Sequence, residues 1–523
     1  MRFATPKQVQ RAGFIAFAGI IAAGAIYAVS ALTGDLVEAP SGANFLVFIL
    51  LGLALLIALG FEFVNGFHDT ANAVATVIYT HSLPAYVAVA WSGLFNFLGV
   101  MLSTGAVAFG TISLLPVELI LQVGSSAGFA MVFALLIAAI VWNLATWYLG
   151  LPSSSSHTLI GSIIGVGLMN QMMVSGTAGT AGVDWSQAAD IGKSLLLSPL
   201  VGFLAAALLL LLCKAIVRIP RLYEAPKGSQ PPPWWIRSIL LLTCTGVSFA
   251  HGSNDGQKGM GLIMLILIGT VPMAYALNHA VTPAQTMDFA AVSQQAANTV
   301  HEYVSPNAVI GDPRETITHF VSSREFTPST MLALQQVISD LGNEATIYKQ
   351  LKNVPEGMTP NFRNDMYLVS EALRLMKKSG NPKLTPADWT ILDNYKKHVD
   401  GVTKFIPTWV KVAVAMALGL GTMVGWKRIV VTVGEKIGKQ HLTYAQWAAA
   451  EITAMFTIGA ADYLGLPVST THVLSSGVAG TMAANRSGLQ WSTVRALAMA
   501  WILTLPASIV LSAGLFLLFR RIG

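Results

Sequence analysis

The sequence LGLPSSSSHTL, residues 149–159, returns as LGLPVSTTHVL at residues 464–474. The two copies share Leu-Gly-Leu-Pro, one serine, the histidine and the last leucine, and hydroxyl residues fill the positions between. Self-similarity at this distance is the signature of an internal duplication. The pair therefore predicts a chain built from two related halves, each with one Pro- and hydroxyl-rich hairpin.

Two further landmarks recur in the same order around these hairpins. NGFHDTANA at 65–73 aligns with HGSNDGQKG at 251–259 through a glycine and an aspartate. A tryptophan and a proline ahead of an apolar run, Trp185 and Pro199, recur as Trp491 and Pro506. The charged segment 279–406 lengthens only the second half, and its apolar residues recur at helical spacing.

The composition predicts an integral membrane protein. Of 523 residues, 54% are hydrophobic and only 11% are charged, whereas soluble domains carry about 25% charged residues. A membrane helix needs about 20 apolar residues, and the apolar stretches indicate roughly 10–12 spans. The basic cluster at 214–237 is typical of a cytoplasmic loop and not of a nucleic-acid site. The two cysteines, Cys213 and Cys244, indicate neither a disulfide framework nor a thiolate metal site.

Duplicated halves with helix-breaking sequence at matching places favour a secondary transporter with its site between the halves. The predicted fold is an all-α polytopic membrane protein with two inverted repeats, broken helices and re-entrant helical hairpins. Its predicted parts are an N-terminal extra span (1–43), a first repeat (44–213), a basic linker (214–237), the start of the second repeat (238–278), a soluble, mostly helical insert (279–406) and the remainder of the second repeat (407–523).

Charged and amide residues in the two motifs point to a binding site at membrane depth. Asp69 and Asn72 are three residues apart and share a helix face, and Asp255 and Lys258 repeat that geometry. Ionisable residues inside a membrane usually mark ion or substrate pathways.

The glycine three positions before each aspartate, Gly66 or Gly252, allows a helix to break there. A broken helix exposes backbone N–H and C=O groups that can bind ions.

The hairpins supply the complementary chemistry. Hydroxyl runs at 153–156 and 469–471 follow a proline and open a helix. Hydroxyls, backbone N–H groups and the helix dipole at such a terminus favour an anion. Two such sites facing each other would hold a tetrahedral oxyanion from two sides. Carboxylates nearby fit this picture if a cation or a proton binds together with the anion.

This combination resembles the inorganic phosphate transporter (Pit) family. The family signature is similar to a duplicated Gly-x-Asn-Asp-x-Ala-Asn-Ala with Pro-x-Ser-(Ser/Thr)-Thr-His hairpins. The matching sequences here are GFHDTANA (66–73), GSNDGQKG (252–259), PSSSSH (152–157) and PVSTTH (467–472), and the resemblance covers 44–278 and 405–518. The bacterial low-affinity branch, which the chain resembles most, implies proton-coupled uptake across the inner membrane. Phosphate would then move as a neutral complex with a divalent metal such as Mg²⁺ or Zn²⁺.

The motifs depart from the family pattern at two positions, because His68 and Lys258 stand where the family usually has asparagine. In sodium-coupled relatives these asparagines help to hold cations. A lysine can supply positive charge near the phosphate, and a histidine can bind a metal or titrate. Both changes favour proton or metal coupling over sodium.

The candidate site residues form two sets. The predicted phosphate-binding residues are Asp69, Asn72, Asn254, Asp255, Lys258, Ser154, Ser155, Ser156, Ser469, Thr470 and Thr471. The candidates for the coupling ion or metal are Asp69, Asp255, His68, Glu62, Glu451 and Asn143. No resident cofactor is expected. A divalent metal, Mg²⁺ or Zn²⁺, would be transported together with the phosphate.

Several alternatives stay open at this point. A sodium-coupled phosphate or sulfate symporter would share the architecture. An anion channel is disfavoured because paired acids would oppose anion flow. A membrane enzyme is disfavoured because the same Ser-rich run occurs in both halves. The expected partners are inorganic phosphate, protons or Na⁺, a divalent metal and the lipid bilayer, with no nucleic acid. The sequence is compatible with a homo-oligomer and does not specify one.

Overall fold

The computed structural model describes residues 6–36, 45–69, 71–115, 117–121, 125–174, 183–226, 228 and 230–522. Most of these residues lie in helices, and within the described ranges there is no β-strand beyond an isolated bridge between Gly438 and Leu489. The α-helices are α1 Pro6–Leu36, α2 Phe45–Asp69, α3 Ala71–Tyr79, α4 Ala85–Leu102, α5 Ala106–Ile112, α6 Val117–Leu121, α7 Ser126–Tyr148, α8 Ser155–Val174, α9 Trp185–Ile216, α10 Trp234–Thr270, α11 Pro272–Tyr275, α12 Pro283–His301, α13 Pro313–Ser323, α14 Pro328–Tyr348, α15 Thr359–Ser379, α16 Pro386–Thr403, α17 Thr408–Val424, α18 Lys427–Val431, α19 Tyr444–Tyr463, α20 Thr470–Ala484 and α21 Trp491–Ile522.

The chain is a multi-pass membrane protein. Six described segments are long and apolar enough to cross a bilayer, or seven if the bent pair α16–α17 counts as one span. They are Gly19–Leu36, Phe45–Tyr79, Ala85–Leu102, Ser126–Tyr148, Trp185–Ile216 and Trp491–Ile522. This number is lower than the 10–12 spans expected from the sequence. The shortfall arises because α17 and α20 have only 17 and 15 residues, and because α10 carries the polar second motif in its middle.

The second motif does not break its helix, which corrects the expectation for Gly252. Helix α10 runs without interruption through residues 251–259. In the first motif, α2 is described to Asp69 and α3 from Ala71, and the residue between them lies outside the described ranges, so a helix break there stays a prediction. Gly252 serves close packing instead, because a Cβ atom there would overlap the backbone carbonyl of Asn96 in α4. Glycine at such a contact lets two helix backbones approach each other.

Equivalent helices of the two halves pack on each other's half at matching glycine positions. A Cβ atom at Gly66 in α2 would overlap the carbonyl oxygen of Leu418 in α17, as Gly252 in α10 does with Asn96 in α4. The helices after the hairpins repeat this pattern. Each motif helix therefore packs on a helix of the other half.

The long C-terminal helix of each half packs on the hairpin helix of the other half. A Cβ atom at Gly165 in α8 would overlap the carbonyl of Ile509 in α21, and one at Gly480 in α20 would overlap the carbonyl of Phe203 in α9. These four residues occupy matching positions in the two copies of the repeat. The duplication thus extends to individual contacts, while the inverted orientation of the halves stays a prediction.

The hairpin turns have the same local structure in both halves. Gly150 and Gly465 both have φ of +67°, a conformation that favours glycine. The hydroxyls of Ser154 and Ser469 then accept hydrogen bonds of 3.1 Å from the backbone N–H three residues later. These are N-caps, and they fix where α8 and α20 begin.

Helices α12 to α16 form a separate helical unit on the membrane helices. Its interior is apolar and includes the stacked rings of Phe289 and Tyr395, whose centroids are 5.9 Å apart. Two arginines of this unit, Arg324 and Arg374, bind the carboxylate of Asp184 at 3.0 and 2.7 Å. Asp184 also caps α9, so the unit is anchored to the start of a membrane helix. The domain boundaries given above stay a prediction.

Candidate functional site

Asp69 joins the two hairpins. The hydroxyl of Ser155, at the start of α8, donates to Oδ2 of Asp69 at 2.5 Å. The hydroxyl of Thr471, at the start of α20, donates to Oδ1 at 2.6 Å. All three side chains are buried. The structure therefore brings the first motif and both hydroxyl runs together, although Ser155 and Thr471 lie 86 and 402 residues from Asp69.

His68 is fixed beside Asp69. Its Nδ1 lies 3.1 Å from Oδ1 of Asp69, and its Nε2 lies 3.2 Å from the hydroxyl of Thr146. Both ring nitrogens thus have partners, and the ring is fully buried. This position lets His68 orient the carboxylate of Asp69.

The second motif reaches the first hairpin through Lys258. Its ammonium group donates to Oδ1 of Asp255 at 2.7 Å and to the hydroxyl of Ser156 at 2.5 Å. The Ser156 hydroxyl in turn donates to the backbone carbonyl of Val468 in the second hairpin, at 2.6 Å. Lys258 is 1% exposed, so its charge is balanced by Asp255 in the interior.

Three side chains form a group that can bind a metal ion. Ligand atoms of Asp69, His251 and Asp255 all lie within 4.8 Å of one another. Nε2 of His251 and Oδ2 of Asp255 are 3.4 Å apart, and neither has a hydrogen-bond partner among the described residues. Nδ1 of His251 is held by Asn96 at 2.7 Å. Carboxylate oxygens and an oriented imidazole are ligands that Mg²⁺ and Zn²⁺ accept.

His251 was not among the site residues predicted from the sequence. The signal for it was available, because His251 opens the second motif and precedes Asp255 by four residues, which places both on one helix face. Asp462 was also missed. It lies just before the second hairpin and accepts hydrogen bonds of 2.6 Å from Ser253 and from Gln257 of the motif.

Asn254 holds the backbone of the second hairpin. Its Nδ2 donates to the carbonyl of Leu466 at 3.1 Å, and its Oδ1 accepts from the N–H of Val468 at 3.4 Å. Its amide is thus engaged in positioning the hairpin. The side chain of Asn72 lies outside the described residues.

The remaining hairpin hydroxyls have different surroundings. Ser154 and Ser469 cap their helices and so have their oxygens engaged by backbone. The hydroxyl of Thr470 is buried without a hydrogen-bond partner in the part of the chain that the structure describes. Among the described residues, one hydroxyl of each run bonds Asp69, and the two come from non-equivalent positions of the repeat.

The two buried glutamates occupy different places. Glu62 lies against the second motif, since a Cβ atom at Gly259 would overlap its side chain, and it accepts a hydrogen bond from Asn65 at 3.3 Å. Glu451 lies on α19 and accepts from Thr243. Oε1 of each glutamate has no partner within the described ranges, and the same is true of both amide atoms of Asn143.

This arrangement of two aspartate motifs and two hydroxyl hairpins can be compared with known proteins. The sequence profile described as "Phosphate transporter family" matches residues 65–512. The chain belongs to the phosphate transporter family. The resemblance seen in the motifs is thereby confirmed over nearly the whole chain.

Curated members of the family are similar to this chain over most of their length. The chain is 42% identical to the "Low-affinity inorganic phosphate transporter PitA" of Escherichia coli (strain K12) over 493 residues, which covers 89% of this chain and 96% of the relative. It is 40% identical to the "Low-affinity inorganic phosphate transporter" of Buchnera aphidicola subsp. Acyrthosiphon pisum (strain APS), with 90% and 96% covered.

One solved structure, titled "The sodium-dependent phosphate transporter", is similar with a TM-score of 0.50 and 18% sequence identity. It covers 91% of this chain and 100% of that one. At this identity the likeness concerns the fold alone.

Proposed function

We propose that this member of the phosphate transporter family takes up inorganic phosphate across a bacterial inner membrane, as a neutral complex with a divalent metal and in symport with protons. The observation that carries the proposal is the convergence of Ser155 and Thr471 on Asp69, whose carboxylate lies beside His251 and Asp255. The relatives named as transporters support transport over catalysis.

The hydroxyls and the lysine would bind the phosphate. In the present arrangement Ser155 and Thr471 donate to Asp69, and Lys258 donates to Ser156 and Asp255. A phosphate oxygen is an equally good acceptor for these donors. When substrate binds, its oxygens would replace the carboxylate of Asp69 as the acceptor.

The metal explains why carboxylates line an anion site. Asp69 and Asp255 alone would repel a phosphate dianion. A divalent cation held by these two carboxylates and His251 would reverse the sign of the local charge. Moving a neutral metal-phosphate complex also avoids the cost of burying an isolated charge.

Proton coupling would use the other buried ionisable groups. Glu62 and Glu451 are buried and each has one carboxylate oxygen without a partner among the described residues, so each oxygen is free to accept a transported proton. Glu62 lies next to the second motif, which suits coupling to the substrate. His68 and Asn143 are the further candidates. Movement of one half against the other would then expose the site to either side in turn.

A sodium-coupled phosphate symporter is the second candidate, and one observation favours it. Oε1 of Glu62, Oδ1 of Asn65 and Oδ1 of Asn143 are buried oxygens without hydrogen-bond partners in the described part of the chain. Neutral and anionic oxygens are suitable ligands for a hard cation such as Na⁺.

Uptake of radiolabelled phosphate by proteoliposomes tests both candidates. The proton gradient, Na⁺, and Mg²⁺ or Zn²⁺ with and without chelator are varied one at a time. We expect uptake to need the divalent metal and the proton gradient. Uptake that needs Na⁺ and ignores both the pH gradient and the chelator would overturn the proposed coupling and leave phosphate transport in place.

A further inference from the structure

One helix of the helical unit turns a polar face toward the membrane helices. On α15, Arg363, Tyr367, Ser370 and Arg374 recur at three- and four-residue spacing and so share a face. Between this face and the helices α5 and α10 lies a cavity of about 50 Å³. One buried water needs about 10–15 Å³, so the cavity has room for a small polyatomic ion.

Arg363 lines this cavity and is unusually poorly compensated. The side chain is 7% exposed, and its Nε has no hydrogen-bond partner among the described residues. Its Nη1 donates to the neighbouring Asn364 at 3.2 Å, and the guanidinium lies 5.3 Å from the ring centre of Tyr367. No described carboxylate forms an ion pair with it. Burial lowers the pKa of Arg363, yet a guanidinium stays charged in proteins.

The other arginines of the helical unit all have a carboxylate partner, unlike Arg363. Arg314 is paired with Asp365 at 2.7 Å, and Arg324 and Arg374 share Asp184. These three lie in more exposed positions, with 25% to 43% of their side chains accessible. The most buried arginine of the unit is thus the one that lacks a counter-charge. A buried charge without a partner is costly. A bound anion would compensate the charge of Arg363 and would account for its position.

A second cation lines the same cavity. Lys404 lies 2.9 Å from Asp400, but Asp400 also holds Lys396 at 2.6 Å, so one carboxylate serves two lysines. The acid in the cavity wall, Glu371, is already paired with Arg374. The cavity lining therefore carries excess positive charge from Arg363 and Lys404.

We propose that this cavity binds a phosphate oxyanion, held by Arg363 and Lys404, at a site separate from the central one. Arginine matches the geometry of phosphate oxygens through its planar set of donors. The ligand would be inorganic phosphate or the phosphate group of a lipid, because the cavity lies where the helical unit meets the membrane helices. Leu265 and Ile268 of α10 form its opposite wall, so a bound anion would join the unit to the helix that carries Asp255 and Lys258.

Phosphate binding to the purified, delipidated full-length chain tests this site. Arg363→Met should bind one fewer phosphate per chain than the wild type in equilibrium dialysis. Lys352→Met, at an exposed position of the same unit, removes the same charge and should bind as the wild type does. If a lipid is the ligand, Arg363→Met should instead lose a phospholipid that co-purifies with the wild type, as measured by mass spectrometry. An unchanged phosphate stoichiometry together with unchanged lipid content would overturn the proposal.

Two further variants separate this site from the central one and from a folding defect. Ser155→Ala should weaken a different phosphate equivalent, so that the double variant with Arg363→Met lacks one equivalent and binds the other more weakly. Lys404→Met keeps Arg363 and should weaken the same equivalent about tenfold, as expected for one charge-assisted hydrogen bond. Arg363→Met removes an unpaired buried charge and should melt at or above the wild-type temperature in phosphate-free buffer. A Lys404→Met variant that folds and binds with wild-type affinity would contradict the proposal.

Discussion

A carboxylate inside a membrane protein is costly unless hydrogen-bond donors surround it. Asp69 is stabilised by one hydroxyl from each hairpin and by His68. These donors would also be the ones available to a substrate oxyanion. The same few residues can therefore stabilise the empty site and bind the substrate, and single substitutions should separate these roles.

Ser155→Ala removes one of the two hydroxyls that bond Asp69. A hydrogen bond to a charged group contributes roughly 1.5–3 kcal/mol, so we expect the apparent phosphate affinity in proteoliposome uptake to fall about 10- to 100-fold. Ser162→Ala is the matched control, because its hydroxyl donates to the carbonyl of Thr158 in its own helix and bonds no other described residue. Equal uptake kinetics for the two variants would show that Ser155 does not bind substrate.

Lys258→Met leaves Asp255 buried without its ammonium partner. Breaking a buried pair in this way costs about 3–5 kcal/mol, so the melting temperature of the purified variant should fall. Adding Asp255→Asn removes the uncompensated charge and should restore most of the thermal stability. Phosphate uptake should stay lost in the double variant, since both charges take part in the proposed site. Recovered uptake would argue that the pair is only structural.

At the scale of elements, the helical unit of α12 to α16 has a pH-sensitive contact. Burial raises the pKa of Asp365 on α15 to about 6, against the opposing effect of its hydrogen bond from Arg314. The pKa values of Asp340 and Glu344 are raised by burial as well. An acid with a raised folded-state pKa binds more protons in the folded state, so stability is greatest at low pH and declines as the pH rises through 6.

Asp365→Asn should remove most of this dependence. In the wild type we expect the local stability of α13 and α15 to fall by about 2–3 kcal/mol at most between pH 4 and 7, because two pKa units correspond to that energy. Hydrogen exchange of these helices, corrected for the intrinsic pH dependence, measures the change. Glu356→Gln, at an exposed position, should keep the wild-type slope. A slope that Asp365→Asn leaves unaltered would contradict the assignment to this residue.

At the scale of the whole molecule, the two halves are held together by exchanged contacts. The hairpin helix of each half packs on the last helix of the other, with a glycine at each crossing. In any movement that exposes the central site, the hairpin helices must either stay packed on these partner helices or slide along them. Because the glycines at matching positions make the same kind of helix contact, we expect substitutions at them to lower stability to a similar extent.

Gly165→Ala and Gly480→Ala should therefore destabilise the protein to a similar extent. A new methyl group would press on a backbone carbonyl in both cases, and such overpacking costs about 1–3 kcal/mol. Gly514→Ala is the control, since no atom lies within 4 Å of a Cβ atom there, and it should melt at the wild-type temperature or above. A large loss of melting temperature in only one of the two tested variants would show that the halves are not mechanically equivalent.

Features that depend on local pattern could be predicted from the amino-acid sequence alone. Apolar run length identified a membrane protein, and the repeated motifs identified the family and most residues around Asp69. The N-caps at Ser154 and Ser469 follow from a serine placed before a helical segment, which is a local rule. None of these inferences required knowledge of which helices touch.

Features that depend on contacts between distant segments became visible only in the folded chain. From the sequence alone Gly252 predicts a helix break, yet in the structure it lies inside a continuous helix and packs against Asn96. The two hairpins have equivalent sequences, but the first presents Ser155 to Asp69 and the second presents Thr471, one position further along. His251 becomes a metal-ligand candidate only because α10 packs beside the end of α2. These outcomes are set by the relative placement of whole helices, and no spacing along the chain encodes that placement.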